Sequence, residues 1–299
     1  MLSGMNLSQH VKPSALSQTL VPDWPAPARV RAVMTTRHGG TSAPPFDSLN
    51  LGDHVRDDPQ RVRANRQRLA AAIDAEPVFL QQVHGVRCVT LGPDTAHSIQ
   101  ADACVTREAR LACTVMVADC LPVLLCDASG RTVGAAHAGW RGLAGAQGQG
   151  QGASGGGVLT TLLKQFNAIS LDEYKYVAIN SDGFLPCDAG TMAWLGPCIG
   201  PDVFEVGPEV RAAFLAVTAH FAATAACFEA VLSKPGFHRC DLAALARLEL
   251  AALGIRRVYG NDSSTDWCTV SQPSVWFSHR RDAARLGSTG RMAACIWLA

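Results

Sequence analysis

The sequence predicts an α/β fold of the mixed α+β kind, a single domain with a central mixed sheet flanked by helices. Three observations predict it. Apolar, strand-like runs of six or seven residues recur, the clearest being 111–117 and 121–126. Segments with helix start and stop signals fall between them at irregular intervals, unlike the regular alternation of a doubly wound parallel sheet. Hydrophobic residues make up 48% of 299 positions and charged residues 17%, the profile of a globular protein long enough to bury a large core.

Taken in order, the elements are as follows. Residues 1–29 carry four prolines and no continuous apolar block, and are expected to be a disordered N-terminal segment, neither a signal peptide nor a membrane span. Residues 30–35 read as a strand and Thr36-Arg37-His38-Gly39-Gly40 as a turn. A loop with Pro44-Pro45, Asn50 and Gly52 fills 41–54. Asp58-Pro59 opens a helix over about 60–72, with a polar cap and a proline just inside the start. Residues 77–83 form a strand that delivers His84. The runs 111–117 and 121–126 are separated by Ala118-Asp119-Cys120, and 131–136 is a strand that delivers His137 to a glycine-rich turn.

A Gly-rich loop is expected at about 143–157. Seven of the thirteen residues from Gly145 to Gly157 are glycine, too polar and too flexible to pack. Residues 158–166 look helical, and 172–191 has no clear period and reads as an irregular excursion. Helices follow at 208–217, starting with Pro208, and at 241–253, with Asp241 as N-cap and Gly254 just past the end. Strands at 255–259 and 292–298 close the chain. No internal repeat or second domain is evident, so 30–299 is expected to be one catalytic domain.

The charge balance narrows the partners. Twenty-six basic and 25 acidic residues give a net charge of +1, so neither nucleic acid nor an anionic membrane is expected to be attracted. The 11 cysteines are odd in number and contain no C-x-x-C pair, and most lie in apolar runs such as those holding Cys113, Cys126 and Cys295. A disulfide framework is not indicated, and a cytoplasmic location is expected. Nothing in the sequence chooses between a monomer and a homodimer.

Two histidines and one cysteine sit where apolar runs break: His84 in Gln81-Gln82-Val83-His84-Gly85, Cys120 in Ala118-Asp119-Cys120-Leu121-Pro122, and His137 in Ala136-His137-Ala138-Gly139-Trp140-Arg141-Gly142. Imidazole and thiolate are good zinc ligands and also suit copper. Three such ligands leave a tetrahedral zinc one open position, which catalysis needs for water or substrate. Asp119 or a backbone carbonyl would orient the second ring nitrogen. The spacing matches no recognised zinc pattern; neither H-E-x-x-H nor a deaminase H-x-E with P-C-x-x-C is present. The same residues also read as a nucleophile, Cys120, with His137 or His84 as its base and a carboxylate as orienter. Both readings stand on these residues alone.

Further motifs run through the chain. Thr35-Thr36-Arg37-His38-Gly39-Gly40 fits T-T-R-x-G-G, and Ser48-Leu49-Asn50-Leu51-Gly52-Asp53-His54-Val55 fits S-L-N-L-G-x-H-V. The three segments above follow, then Trp194-Leu195-Gly196-Pro197-Cys198-Ile199-Gly200-Pro201, Phe277-Ser278-His279-Arg280-Arg281-Asp282 and Thr289-Gly290-Arg291-Met292. In this order, from about residue 30 to the end, they resemble the YfiH-type family, known also as laccase-domain proteins, polyphenol oxidases or multifunctional purine nucleoside enzymes.

The resemblance implies a YfiH-like α/β domain and a zinc ion held by His84, Cys120 and His137, which would serve both as metal ligands and as the catalytic group, with copper as the alternative metal. It implies phosphorolysis of adenosine, inosine, guanosine and methylthioadenosine to free base and pentose 1-phosphate, and deamination of adenosine. The partners would be purine nucleosides and phosphate. A family branch linked to editing of peptidoglycan precursors keeps a Cys-His hydrolase as an alternative. Copper-dependent phenol oxidation ranks last, because multicopper oxidases use H-x-H clusters and none occurs among the nine histidines. Two departures stand out: the Gly-rich stretch with 172–191 lengthens the path from H-A-G-W-R-G to W-L-G-P, and extra residues separate Asp282 from Thr289.

Substrate contacts follow from the reaction. Arg37 beside Gly39-Gly40 offers a bidentate guanidinium and close backbone approach to phosphate, against the plainer reading of a salt bridge. Asn50 would bond sugar or base, or simply cap its loop through an Asx-turn. Arg280, next to His279, would approach the same pocket or form a solvated basic strand end. Trp140 and Trp194 would stack on a purine or pack in the core.

Overall fold

The long apolar runs form strands that are buried on both faces, which is why they show no alternation of apolar and polar residues. The computed structural model describes residues 16, 18–145, 156–170 and 190–299. One five-stranded sheet runs in the order β1 (Thr19–Leu20), β2 (Val30–Thr35), β14 (Met292–Leu298), β6 (Leu111–Val117), β3 (Glu76–Phe79). Its strands are antiparallel except that β3 lies parallel to β6. A six-stranded sheet runs β13 (Arg257–Gly260), β9 (Met192–Leu195), β7 (Leu121–Cys126), β8 (Val133–Ala138), β5 (Ala103–Thr106), β4 (Cys88–Thr90). Only β13–β9 and β4–β5 are parallel. A small sheet joins β10 (Glu205–Val206), β11 (Phe228–Ala230) and β12 (His238–Cys240).

Three apolar clusters define the layers. Met34, Val115, Val117, Ala294 and Ile296 of the five-stranded sheet meet Cys104, Leu124, Cys126 and Ala135 of the six-stranded one, so the two sheets pack face to face. On the outer face of the first sheet, Val33, Met116, Ala293 and Trp297 pack with Leu69, Ala72 and Ile73 of α1 (Pro59–Ile73). On the outer face of the second, Leu121, Val123, Leu125 and Ala136 pack with Leu162, Leu163 and Phe166 of α3 (Val158–Ser170) and Ala246 and Leu250 of α6 (Leu242–Ala252). The α/β class, mixed sheets and flanking helices are as the sequence predicts. The doubling of the sheet is new, because apolar strands carry no label saying which sheet they join.

Caps fix the helix starts as read from the sequence. Asp58 accepts from Gln60 N at 2.8 Å with Pro59 first in α1, and Asp241 accepts from Ala244 N at 2.9 Å. α4 is Pro208–Val217, as expected, and a short α5, Phe221–Ala226, follows it.

Four readings change. Within 1–29, residues 1–15 and 17 lie outside the described residues, but β1 pairs with β2, and Leu16 and Leu20 are buried, so 18–29 are ordered against the sheet edge. The strand read at 77–83 ends at Phe79, and that read at 131–136 runs to Ala138, placing His137 inside β8. The basic strand end read at His279-Arg280 is the first turn of α7 (His279–Leu286), where Ser278 accepts from Arg281 N at 3.1 Å. Of the Gly-rich loop read at about 143–157, residues 146–155 lie outside the described residues, while Leu143 ends α2 (Trp140–Leu143) and is buried with Ala144; of the excursion read at 172–191, residues 172–189 lie outside the described residues. None of the described helices is long and apolar enough to cross a membrane.

Candidate metal centre

Two chain turns and the end of a strand bring the trio together. After β3 the side chain of Gln82 straddles β6, donating to Met116 O and accepting from Met116 N, each at 2.7 Å. His84 then takes a left-handed conformation, φ 60°, uncommon for a residue with a Cβ. Cys120 lies in the turn between β6 and β7, which carries the chain from one sheet to the other. Asp119 makes that turn at φ 90°, and its carboxylate accepts from Thr269 Oγ1 and from Arg280 N, both at 2.6 Å. His137 is the next-to-last residue of β8.

One donor atom from each of His84, Cys120 and His137 falls within 4.8 Å of the others, the only such group of three among the described residues. Cys120 Sγ is 3.7 Å from His84 Nε2, and the two imidazole rings meet edge-to-face at 4.8 Å between centroids. With ordinary Zn–S and Zn–N bonds, a tetrahedral zinc separates sulfur from nitrogen by roughly 3.6 Å. The donor set and its spacing therefore fit zinc, and imidazole with thiolate suits copper as well. His84 is exposed, Cys120 half-buried and His137 buried, so the open side lies toward His84. Gly139 completes the cradle: a Cβ there would lie 2.8 Å from His84 Cδ2 and 3.1 Å from Cys120 Sγ.

The trio carries opposed charges. Burial pushes the Cys120 thiol up, but the His137 imidazolium and then His84 outweigh it and bring it down to about 6. Burial likewise pushes His137 down, but the Cys120 thiolate and then Asp102 lift it to about 9. Metal-free, the two form a thiolate–imidazolium pair at neutral pH. Burial raises Asp102, while the His137 ring and the Gly85 and Val83 N–H groups lower it further, to below the usual carboxylate range.

The partner of His137 Nδ1 is Asp102, at 2.8 Å, and not Asp119 as expected from its proximity in sequence. Asp119 is instead spent on Thr269 and the start of α7. The signal for Asp102 was a lone carboxylate within the otherwise apolar run 101–105.

The predicted substrate residues divide. Arg37 donates from Nε to Asp47 O, from Nη2 to Asp47 Oδ2 and from Nη1 to Pro273 O, and stacks over Phe277, so its guanidinium braces a loop. Asn50 is fully buried; its amide donates to Gly52 O and Asp57 Oδ2 and accepts from Gly52 N and Arg291 N, the Asx-turn reading. Among the described residues the Asn50 amide has its donors and acceptor engaged, and Arg37 uses three of its five guanidinium N–H groups. Arg280 places its backbone against Asp119 and its exposed guanidinium on Val203 O and Glu205 O. Trp194 is core, edge-to-face with Trp267, whereas Trp140 is half-buried under Arg141.

Arg291 emerges beside them. Asn50 anchors its backbone, and burial depresses its guanidinium while the charges of Cys120 and Asp119 oppose that effect. Among the described residues its guanidinium bonds only through Nη1, to Thr289 O and Gly290 O.

The family model described as multi-copper polyphenol oxidoreductase laccase matches residues 31–155 and 183–299. A Pseudomonas aeruginosa protein named purine nucleoside phosphorylase PA4543 is 44% identical over 93% of this chain and 98% of its own length. The Escherichia coli protein named purine nucleoside phosphorylase YfiH is 41% identical over 95% of this chain and 100% of its own. Among solved structures, Neisseria meningitidis protein NMB0706 superposes with a TM-score of 0.76 at 40% identity, covering 94% of this chain and 98% of that one. YlmD from Geobacillus stearothermophilus superposes with 0.75 at 28% identity, covering 98% and 99%.

Proposed function

The chain belongs to the multi-copper polyphenol oxidoreductase laccase family, and on that footing we propose that it is a zinc-dependent purine nucleoside phosphorylase with adenosine deaminase activity. The observation that carries this is the His84–Cys120–His137 trio, spaced for a tetrahedral metal, in a chain similar over nearly its whole length to proteins named purine nucleoside phosphorylase. Its substrates would be adenosine, inosine, guanosine or methylthioadenosine, with phosphate.

In phosphorolysis a phosphate oxygen bonds to the anomeric carbon as the bond from that carbon to the purine nitrogen breaks. The base leaves with the electron pair and takes up a proton. Zinc, when bound, supplies Lewis-acid polarisation and, for deamination, an activated water. The protein's part is to place charge and exclude alternatives. Arg291, whose Nε and Nη2 make no bond among the described residues and which lies beside the trio, is our assignment for the phosphate charge in place of Arg37. Arg280 contributes by holding Asp119, and through it the Cys120 turn, in place. Trp140 is the remaining aromatic candidate for the purine face.

The lowered Cys120 thiol also fits a nucleophile paired with His137, which keeps the Cys-His hydrolase as the second reading. Product identification separates them. Metal-loaded protein given adenosine and phosphate should release adenine and ribose 1-phosphate, with inosine from the side reaction. Arg291→Ala should raise the phosphate concentration needed for half-maximal rate at least tenfold, and Arg37→Ala much less. Cleavage of a peptidoglycan-precursor amide, with no phosphate-dependent release of base, would replace this reading with the hydrolase.

A further inference from the structure

We propose that Asp102 is the positioning residue of the trio, a single carboxylate that fixes both imidazole donors at once. It is fully buried. Oδ1 accepts from His137 Nδ1 at 2.8 Å and from His84 N at 2.9 Å. Oδ2 accepts from Gly85 N at 2.7 Å and Val83 N at 3.2 Å. Four donors thus converge on two oxygens.

Two consequences follow. An ionised carboxylate only accepts, so a singly protonated His137 must carry its proton on Nδ1, leaving the Nε2 lone pair for the trio. Three successive backbone N–H groups turned onto one carboxylate form an anion nest. That nest holds His84 in its left-handed conformation, which is sterically disfavoured for a residue with a Cβ. Gly85 permits the approach, since a Cβ there would stand 3.3 Å from Asp102 Oδ2. Asp102 therefore sets the tautomer of one donor and the backbone of the other.

Asp102→Asn tests this with little change of shape. An amide offers one acceptor oxygen and one NH2 group. If the NH2 faces His137, it donates to Nδ1 and drives the proton onto Nε2. If it faces Val83 and Gly85, it opposes two N–H donors and frees the His84 turn. Either orientation disables one donor, so zinc affinity, measured by competition with a chromophoric chelator, should fall 10–100-fold while unfolding stays cooperative. A folded Asp102→Asn protein binding zinc within twofold of wild type would overturn the proposal.

A second measurement needs no variant. In the metal-free wild type in alkaline solution, where the ring holds one proton, imidazole 15N NMR should place the His137 proton on Nδ1. A proton on Nε2 would overturn the assignment, and this readout decides if the Asn protein does not fold. The affinity arm rests on the metal-centre reading, whereas the tautomer arm does not. A wild type that binds no zinc yet shows Nδ1–H would sink that reading and leave Asp102 in its role.

Discussion

At the scale of single residues, the trio depends on small groups that keep space open as much as on the donors themselves. Gly139 has φ −69° and ψ 158°, open to any residue, so only the missing Cβ matters there. Gly139→Ala should cut bound zinc by more than half, with a modest change in melting temperature, as read by metal analysis and calorimetry. Full zinc content in that variant would show that the cradle yields. Cys120 gives a pH-dependent signature. Its thiol is lowered to about 6, so the thiolate persists down to that pH and is lost only below it. Metal-free protein should therefore alkylate at Cys120 with a midpoint near pH 6, while Cys88, well above its usual range, and Cys227, pushed up to about 11, stay protonated. Zinc should protect Cys120, and a midpoint near 9 would contradict the thiolate–imidazolium pair. The donors were legible because each interrupts an apolar run at a motif. Asp102, just before β5, left only the weak signal of a lone carboxylate beside apolar residues, because a buried carboxylate is identified by the groups that converge on it in space. Arg37 and Asn50 were legible as motif residues, yet their side chains hold loops together, which a motif cannot distinguish from holding substrate.

At the scale of elements, the runs at β6, β7 and β14 and the capped helices α1, α4 and α6 could be read directly, since strand length, caps and Pro or Gly punctuation are local signals. α7 could not: of its eight residues only Asp282 is buried, so it has no apolar stripe to give a helical period. β3 ends early because Gln82 and His84 are held by Met116 and Asp102, whereas β8 runs on to Ala138 because it pairs there with Leu121 of β7. The insertion after α2 (Trp140–Leu143) offers an element-scale test. A Cβ on Gly145 would stand 3.2 Å from the carbonyl carbon of Gly156, so the two ends nearly meet. Consecutive Cα atoms are about 3.8 Å apart, so joining Gly145 to Gly156 and deleting 146–155 should close with little strain. The shortened protein should fold cooperatively and keep its zinc. Loss of either property would assign the insertion a structural role.

At the scale of the whole molecule, two sheets face each other between helical layers, and the chain crosses from one sheet to the other at Ala118-Asp119-Cys120. The site thus draws a donor from the loop after a five-stranded-sheet strand, one from the crossing itself and one from within the six-stranded sheet, so relative movement of the sheets would pull the donors apart. Asp119 binds that crossing to Thr269 and α7, tying it to the C-terminal segment that also carries Arg291. On the proposed reading, the assembled trio would seat the metal for purine nucleoside phosphorolysis. The direct measurement is to add zinc stepwise to metal-free protein supplied with adenosine and phosphate and to follow adenine release. The rate should rise from near zero and level off at one equivalent of zinc per chain, and Cys120→Ser should stay near zero throughout. Full turnover in the metal-free protein, or no phosphate-dependent adenine at any zinc concentration, would contradict the account.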